Sequence, residues 1–342
     1  MSRSSRIIGY DYVRAISIML VIFYHFSCSF DIYTISGFHN IFYTLGHTGW
    51  GSIAVYMFLM LSGASLYLNY PESFSVKNFY KKRWLSIYPQ FYIAWISLYF
   101  LQSYLKDSFF WGGQYYKILL SLLGMDGYFF YLGQNYYIIG EWFLGAIIFL
   151  YILFPLLRYF FNNYEILSTI IILMAFLLIL STDYFIISDY RNIFTCTLSF
   201  WAGMVFEKYR KKIENNLFYF AFSILIFIII INMSFNLVFY TVLLSILLFI
   251  IVFFIPRIHT MHVFSYPVIL NISKYSYSLF LIHHVVIRFV MKRLDGTSLS
   301  VLEVFLWLAV VFFIIYVLAI ILNIADKYLK RYCIYFYKII IQ

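Results

Sequence analysis

Charge is scarce in this chain. Only 11% of its 342 residues are Asp, Glu, Lys or Arg, where a soluble domain carries about a quarter. That scarcity excludes an ordinary water-soluble globule. Cysteine is also sparse. Cys28, Cys196 and Cys333 are scattered and odd in number, with no Cys-x-x-Cys pair, which excludes a disulfide framework. No polar stretch is long enough to form a second domain, and no internal repeat is evident. No small-residue cleavage site follows the first apolar run, so that run reads as a retained helix.

What is present is apolar: 64% hydrophobic residues and a mean hydropathy of +0.87. Ten runs are long enough, or nearly so, to cross ~30 Å of hydrocarbon at 1.5 Å per residue. They cover 7–27, 49–70, 84–104, 138–160, 165–182, 191–207, 216–233, 236–256, 273–292 and 302–324. The chain therefore reads as an all-α polytopic integral membrane protein, one transmembrane domain over 1–342, with 325–342 a short basic cytosolic tail. Its net charge of +10 points to membrane topology better than to nucleic acid. With the N-terminus in the cytosol, seventeen Lys and Arg fall in cytosolic segments and five in outer ones. This split predicts N-in and C-in. The longest gap, 105–137, then lies outside. It carries YYKILLSLLG (115–124), too short to span and suited to an interfacial helix or a re-entrant turn.

The first run, YDYVRAISIMLVIFYH (10–25), contains Asp11, Arg14 and His25. An ionised group at the bilayer centre costs roughly 2.5–3.5 kcal/mol or more. Such groups face a protein interior or a wet cavity, unless Arg14 snorkels to the surface and His25 is interfacial. Arg14 and His25 are about three helical turns apart, on one face and about 16.5 Å along the axis. Asp11, three residues before Arg14, can pair with it. The stripe predicts that this helix lines a pathway.

Asp-x-x-Arg, ten further residues and a His in a first transmembrane helix resemble the acyltransferase-3 family of membrane-bound acyltransferases, polysaccharide O-acetyltransferase type. Four more stretches match it in order: GWGSIAVYMFLMLSGASLYL (49–68), FYKKRWLSIYP (79–89), EWFLGAIIFLYILFP (141–155) and SKYSYSLFLIHH (273–284). The family commonly has Arg-x-x-Arg before Ile-Tyr-Pro. Here Arg83 supplies the first Arg, but Ser86 stands at the second position.

The resemblance implies transfer of an acyl group, usually acetyl, from cytosolic acyl-CoA to a hydroxyl of an extracytoplasmic or lipid-linked saccharide. His25 at the outer mouth is the expected general base, because its ordinary pKa lies near 6.5. Glu141 could orient the imidazole. Arg14, Asp11, Lys82 and Arg83, with Lys81, are expected to bind the donor, its phosphates wanting a cationic mouth. Ser62 and Gly63 offer close backbone approach, which helix packing would explain equally. His283 and Arg288 are the expected acceptor-positioning residues. His283 and His284 point about 100° apart on a helix, and a structural role suits His284.

No Gly-x-Ser-x-Gly elbow is present and no cysteine has a visible activating partner, so direct transfer without an acyl-enzyme is the simpler route. No permanently bound cofactor and no metal set is expected. His259 and His262, three apart, have no carboxylate beside them, and His39 and His47 read as outer-loop residues. Membrane lipids, acyl-CoA and a glycan are the expected partners, and a homo-oligomer is compatible with the sequence. A cell-membrane location follows from the topology. The chain ends soon after its last crossing, so transfer would finish within the membrane domain or be handed to another protein. A polysaccharide transporter or exporter would also line a path with polar residues, and a scaffold subunit could bind a partner helix through the same stripe.

Overall fold

All ten apolar runs fold as helices, and a shorter eleventh forms in the long gap. The computed structural model describes residues 6–72, 74–182, 184–257 and 259–341, with side chains at these positions except 41, 132, 259–265 and 332–341. The side chains of His259, His262 and Cys333 lie outside the described residues. The helices are α1 (Ile8–Ile32), α2 (Trp50–Asn69), α3 (Val76–Leu105), α4 (Ile118–Leu122), α5 (Glu141–Asn163), α6 (Glu165–Ser181), α7 (Ile193–Glu214), α8 (Phe218–Ile230), α9 (Leu237–Phe254), α10 (His259–Met291) and α11 (Val301–Ile341). A two-residue hairpin, β1 (Thr44–Leu45) with β2 (Thr48–Gly49), precedes α2.

Among the described residues, α1, α2, α5, α9 and α11 are each long and apolar enough to cross a membrane alone. The pair α7 and α8, bent by 119°, adds a sixth crossing if it is one broken span. Of the ten crossings expected, the ten helices thus supply five, or six, that are long and apolar enough among the described residues. α6 has 17 residues and α8 has 13, short of a full bilayer at 1.5 Å per residue. α3 opens on Lys77, Lys81, Lys82 and Arg83. Side-chain caps start several helices. Ser75 Oγ accepts the Asn78 amide at α3 (3.3 Å), and Asn192 Oδ1 accepts that of Phe194 at α7 (3.1 Å). Asn236 Oδ1 accepts that of Val238 at α9 (2.9 Å).

The chain forms two compact units. The first comprises Met1–Asp31, Phe38–Ser73 and Leu153–Ser276. Its tightest packing is α2 against α7. A Cβ on Gly63 would stand 1.9 Å from the Phe200 carbonyl oxygen, and one on Gly203 would stand 1.9 Å from that of Met60. Two backbones can come this close only where both helices present glycine. Tyr10 packs with Phe249 and Phe253 of α9 and Phe206 of α7, at ring separations of 5.3 to 6.4 Å. The Trp201 indole donates to Thr169 Oγ1 (2.9 Å), joining α7 to α6. The hairpin meets α9 through a Thr48–Thr241 hydroxyl bond of 2.7 Å. At the hairpin turn Gly46 has φ +58° and faces the Tyr240 hydroxyl and the Ile231 carbonyl, a position closed to a side chain on both counts.

The second unit comprises Ile32–Gly37, Phe74–Ile152 and Tyr277–Gln342. The 41-residue α11 packs along α3. The 33–36 segment pairs with 296–299: Ser36 donates to Thr297 (2.9 Å) and Leu299 donates to Ser36 (2.8 Å). α4 is tied to α3 because the Tyr92 and Tyr88 hydroxyls donate to the carbonyls of Leu122 (2.8 Å) and Leu123 (2.9 Å). The 115–124 run, expected to be too short to span, forms the five-residue α4.

Candidate functional site

In the first unit the site grows from α1. Asp11 is buried and acts as a hub. Arg6 grips it with two bonds, Nε to Oδ2 at 2.5 Å and Nη2 to Oδ1 at 2.8 Å. Ser273 Oγ donates to Oδ1 at 2.7 Å. Arg14 Nη1 lies 3.7 Å from Oδ1 and donates to Ser273 Oγ at 3.4 Å. The expected Asp11–Arg14 pairing is present, but the fork of Arg6 makes the shorter contact. Asp11 is thus held mainly by Arg6 and Ser273, with Arg14 at the edge of its carboxylate. Arg14 remains about one-third exposed, at 34%.

Three turns on, His25 is half-buried and meets Tyr24 edge-on at 5.2 Å. Tyr24 is wedged in turn. It stacks on Tyr43 at 5.7 Å, and its ring would lie 2.3 Å from a Cβ on Gly51 and 2.8 Å from one on Gly49. The Gly-Trp-Gly sequence at the start of α2 is what admits this ring beside His25.

Lower on the same helix the Tyr10 hydroxyl donates to Glu207. Glu207 also accepts from Arg210 Nε at 2.9 Å, and Arg210 Nη1 reaches Glu214 at 2.9 Å. Arg257 stands 3.7 Å from Glu214. Sequence reading missed this network. Its only trace was Glu-x-x-Arg-x-x-x-Glu spacing on one helix face.

In the second unit Glu141 opens α5 at φ +46°, directly after Gly140 at φ +96°. A left-handed conformation is costly for a residue with a Cβ. Gly127 allows it by lying flat on the Glu141 carbonyl, where a Cβ would approach to 2.6 Å. Glu141 Oε1 accepts the Tyr137 hydroxyl at 2.7 Å and stands 2.6 Å from His284 Nε2. His283 is fully buried, its Nδ1 2.7 Å from the Phe280 carbonyl of its own helix. The two histidines differ in setting. His283 is enclosed, and His284, partly open, meets the carboxylate. Arg288 lies one turn beyond His284 and is exposed.

Arg83 is half-buried, with its guanidinium 5.7 Å from the Tyr151 ring centre and 5.9 Å from that of Phe79. Lys81 and Lys82 are exposed. Ser86 Oγ donates back to the Arg83 carbonyl at 2.8 Å, so this departure from the double-Arg pattern is absorbed inside α3. At Ser62–Gly63 the close backbone approach is used on Phe200 of α7, which leaves no gap at Gly63 for a ligand chain.

The loop before α5 holds a second buried carboxyl that sequence reading passed over. Asp126 Oδ1 accepts the Gly127 amide (2.9 Å), and Asn135 Nδ2 donates to the Asp126 carbonyl (2.9 Å). Asn135 Oδ1 accepts the Tyr137 amide (3.0 Å). Burial pushes the Asp126 carboxyl up to about 6, against the opposing pull of Ser121 and the Gly127 amide. Burial, then the neighbouring Glu141, pushes the Tyr137 phenol well above its usual value, so it stays a hydrogen-bond donor.

A family profile described as an acyltransferase domain matches residues 7–324 of this chain. No curated protein and no solved structure matches it.

Proposed function

We propose, from the premise that this multi-pass membrane protein belongs to the acyltransferase-3 family and is an acyltransferase, that its donor is cytosolic acyl-CoA, most simply acetyl-CoA. Its acceptor in this reading is a hydroxyl of an extracytoplasmic or lipid-linked saccharide at the cell membrane. His25 takes the hydroxyl proton as the oxygen attacks the thioester carbonyl. The tetrahedral intermediate collapses with cleavage of the carbon–sulfur bond. The ester leaves on the acceptor, and His25 returns the proton to the CoA thiolate, which departs as the thiol and leaves the imidazole neutral. Arg14 and the basic start of α3 at Lys81, Lys82 and Arg83 attract the donor's phosphates. Glu141, 2.6 Å from His284 Nε2, supplies a carboxylate that orients that ring and, with Arg288, orders the acceptor end.

The observation that supports this reading best is the face of α1. Its two partly open polar side chains, Arg14 and His25, share one stripe, and Arg14 stands 3.7 Å from the buried Asp11 carboxylate. A partly open guanidinium on that stripe is available to an anionic donor.

The test is release of free CoA from acetyl-CoA by the purified protein, dependent on an added hydroxyl acceptor. His25→Ala should lower turnover by about 10²–10⁴-fold with the melting temperature kept. Arg14→Ala should raise the donor KM. Near-full turnover in His25→Ala overturns the base assignment. Flux of a saccharide across vesicles without CoA release identifies an exporter, and neither activity identifies a scaffold.

A further inference from the structure

Beside α4 lies a cavity of about 420 Å³ within the second unit, lined chiefly by Tyr116, Lys117, Leu119, Leu120, Phe129 and Asn135. Its size falls in the range of small-molecule sites, roughly 300–1,000 Å³. Its walls are almost wholly apolar, and such a space is not stabilised by water. Around it the surface is apolar too: Tyr115, Tyr116, Leu119, Leu122 and Leu123 are all exposed. In water that surface would be unfavourable, yet α4 is held in place by the Tyr88 and Tyr92 hydroxyls. One cation marks the rim. The Lys117 ammonium donates to the neutral Gln134 carbonyl at 2.9 Å, and among the described residues no carboxylate pairs with it.

We propose that this cavity is a binding site for one anionic phospholipid, with an acyl chain in the apolar space and the headgroup phosphate at Lys117. The occupant follows from three features together. The element is an apolar turn too short to span, with one lysine at its start, which suits the interface. The lining accepts hydrocarbon and little else. The single rim charge is positive, and a lysine near a membrane surface favours anionic over neutral lipid. The site also reaches the chemistry of this unit. Asn135 lines the cavity and holds the Tyr137 amide, and Tyr137 donates to Glu141. A lipid that seats against Asn135 therefore bears on the segment that positions the Glu141 carboxylate. The binding claim itself stands whether or not the reaction proposed above is correct.

The full-length protein is reconstituted in phosphatidylcholine nanodiscs containing a minor fraction of phosphatidylglycerol with a diazirine at the end of one acyl chain. It is irradiated and the labelled peptides are mapped. Label should concentrate on 115–135. Unlabelled phosphatidylglycerol should compete it away, and extra phosphatidylcholine should not. Leu120→Trp, which fills the cavity, should remove that label while labelling of the exposed face of α11 is unchanged. Lys117→Gln should cut the preference for phosphatidylglycerol about fivefold. Melting temperatures check that both variants fold, and Lys117→Gln, at the rim, decides the matter if Leu120→Trp does not. Label spread evenly over lipid-facing helices, or unchanged by a folded Leu120→Trp, overturns the site. Equal competition by phosphatidylcholine overturns the headgroup assignment.

Discussion

Asp126 is the residue whose behaviour is most open to measurement. Its carboxyl is buried and pushed up to about 6, so the folded loop prefers it protonated. For a carboxyl raised above its unfolded value, the stabilising contribution is complete below the ordinary pKa of about 3.9 and is lost as pH rises to about 6. Relative to Asp126→Asn, the wild-type protein should lose thermal stability between about pH 4 and pH 6 and level off above. At pH 7.5 the Asn variant should be the more stable by up to about 3 kcal/mol, since a tenfold change in proton affinity is worth about 1.4 kcal/mol. Asn keeps the oxygen that accepts the Gly127 amide. Parallel melting curves for both proteins across pH 4–8 would show the effect. Superimposable profiles would mean that the carboxyl is ionised without penalty. At this scale the sequence disclosed the polar stripe of α1, because Asp11, Arg14 and His25 stand out against hydrocarbon-seeking neighbours. It did not disclose the fork of Arg6, the left-handed Glu141 or the enclosure of His283. Those depend on which way a side chain turns and on which distant backbone it meets.

Among the elements, α2 and α7 depend on each other through paired glycines. Gly63 and Gly203 each face the partner helix's carbonyl, so a methyl at either must force the pair apart. Gly203→Ala should destabilise the protein by about 1–3 kcal/mol, and Gly63→Ala likewise. Both should lower the midpoint in a detergent thermal-shift assay, whereas Gly296→Ala, with open space around its Cβ site, should cost less despite its positive φ. Wild-type midpoints in both α2 and α7 variants would mean the interface has slack. The ten helices were legible in advance because each rests on a run of local hydrophobicity. The bend between α7 and α8 was foreshadowed only by Asn215 and Asn216, the latter capping Phe218 with its side chain at 2.9 Å. The pairing of glycines far apart in sequence carried no local signal at all.

For the whole molecule, the expected orientation rests on the distribution of lysine and arginine, and it has a direct test. In a cysteine-free background, a cysteine at Lys212 should react with a membrane-impermeant maleimide only after permeabilisation, and one at Lys106 should react in intact cells. The reverse pattern would invert the topology and move the proposed donor mouth to the wrong side of the membrane.

The length of α11 has its own mechanical meaning. Forty-one residues make a rod of about 60 Å, roughly twice the depth of the oily layer it enters. Part of it must stand clear, and the part bearing Asp326 and Lys330, clasped at 2.7 Å, with the exposed Arg331, is the part least willing to sink. Those charges act as a float. Sliding the rod one turn inward would drown them, sliding it outward would strand leucines and phenylalanines in water, and the bilayer thus sets the height at which everything fastened to this helix rides.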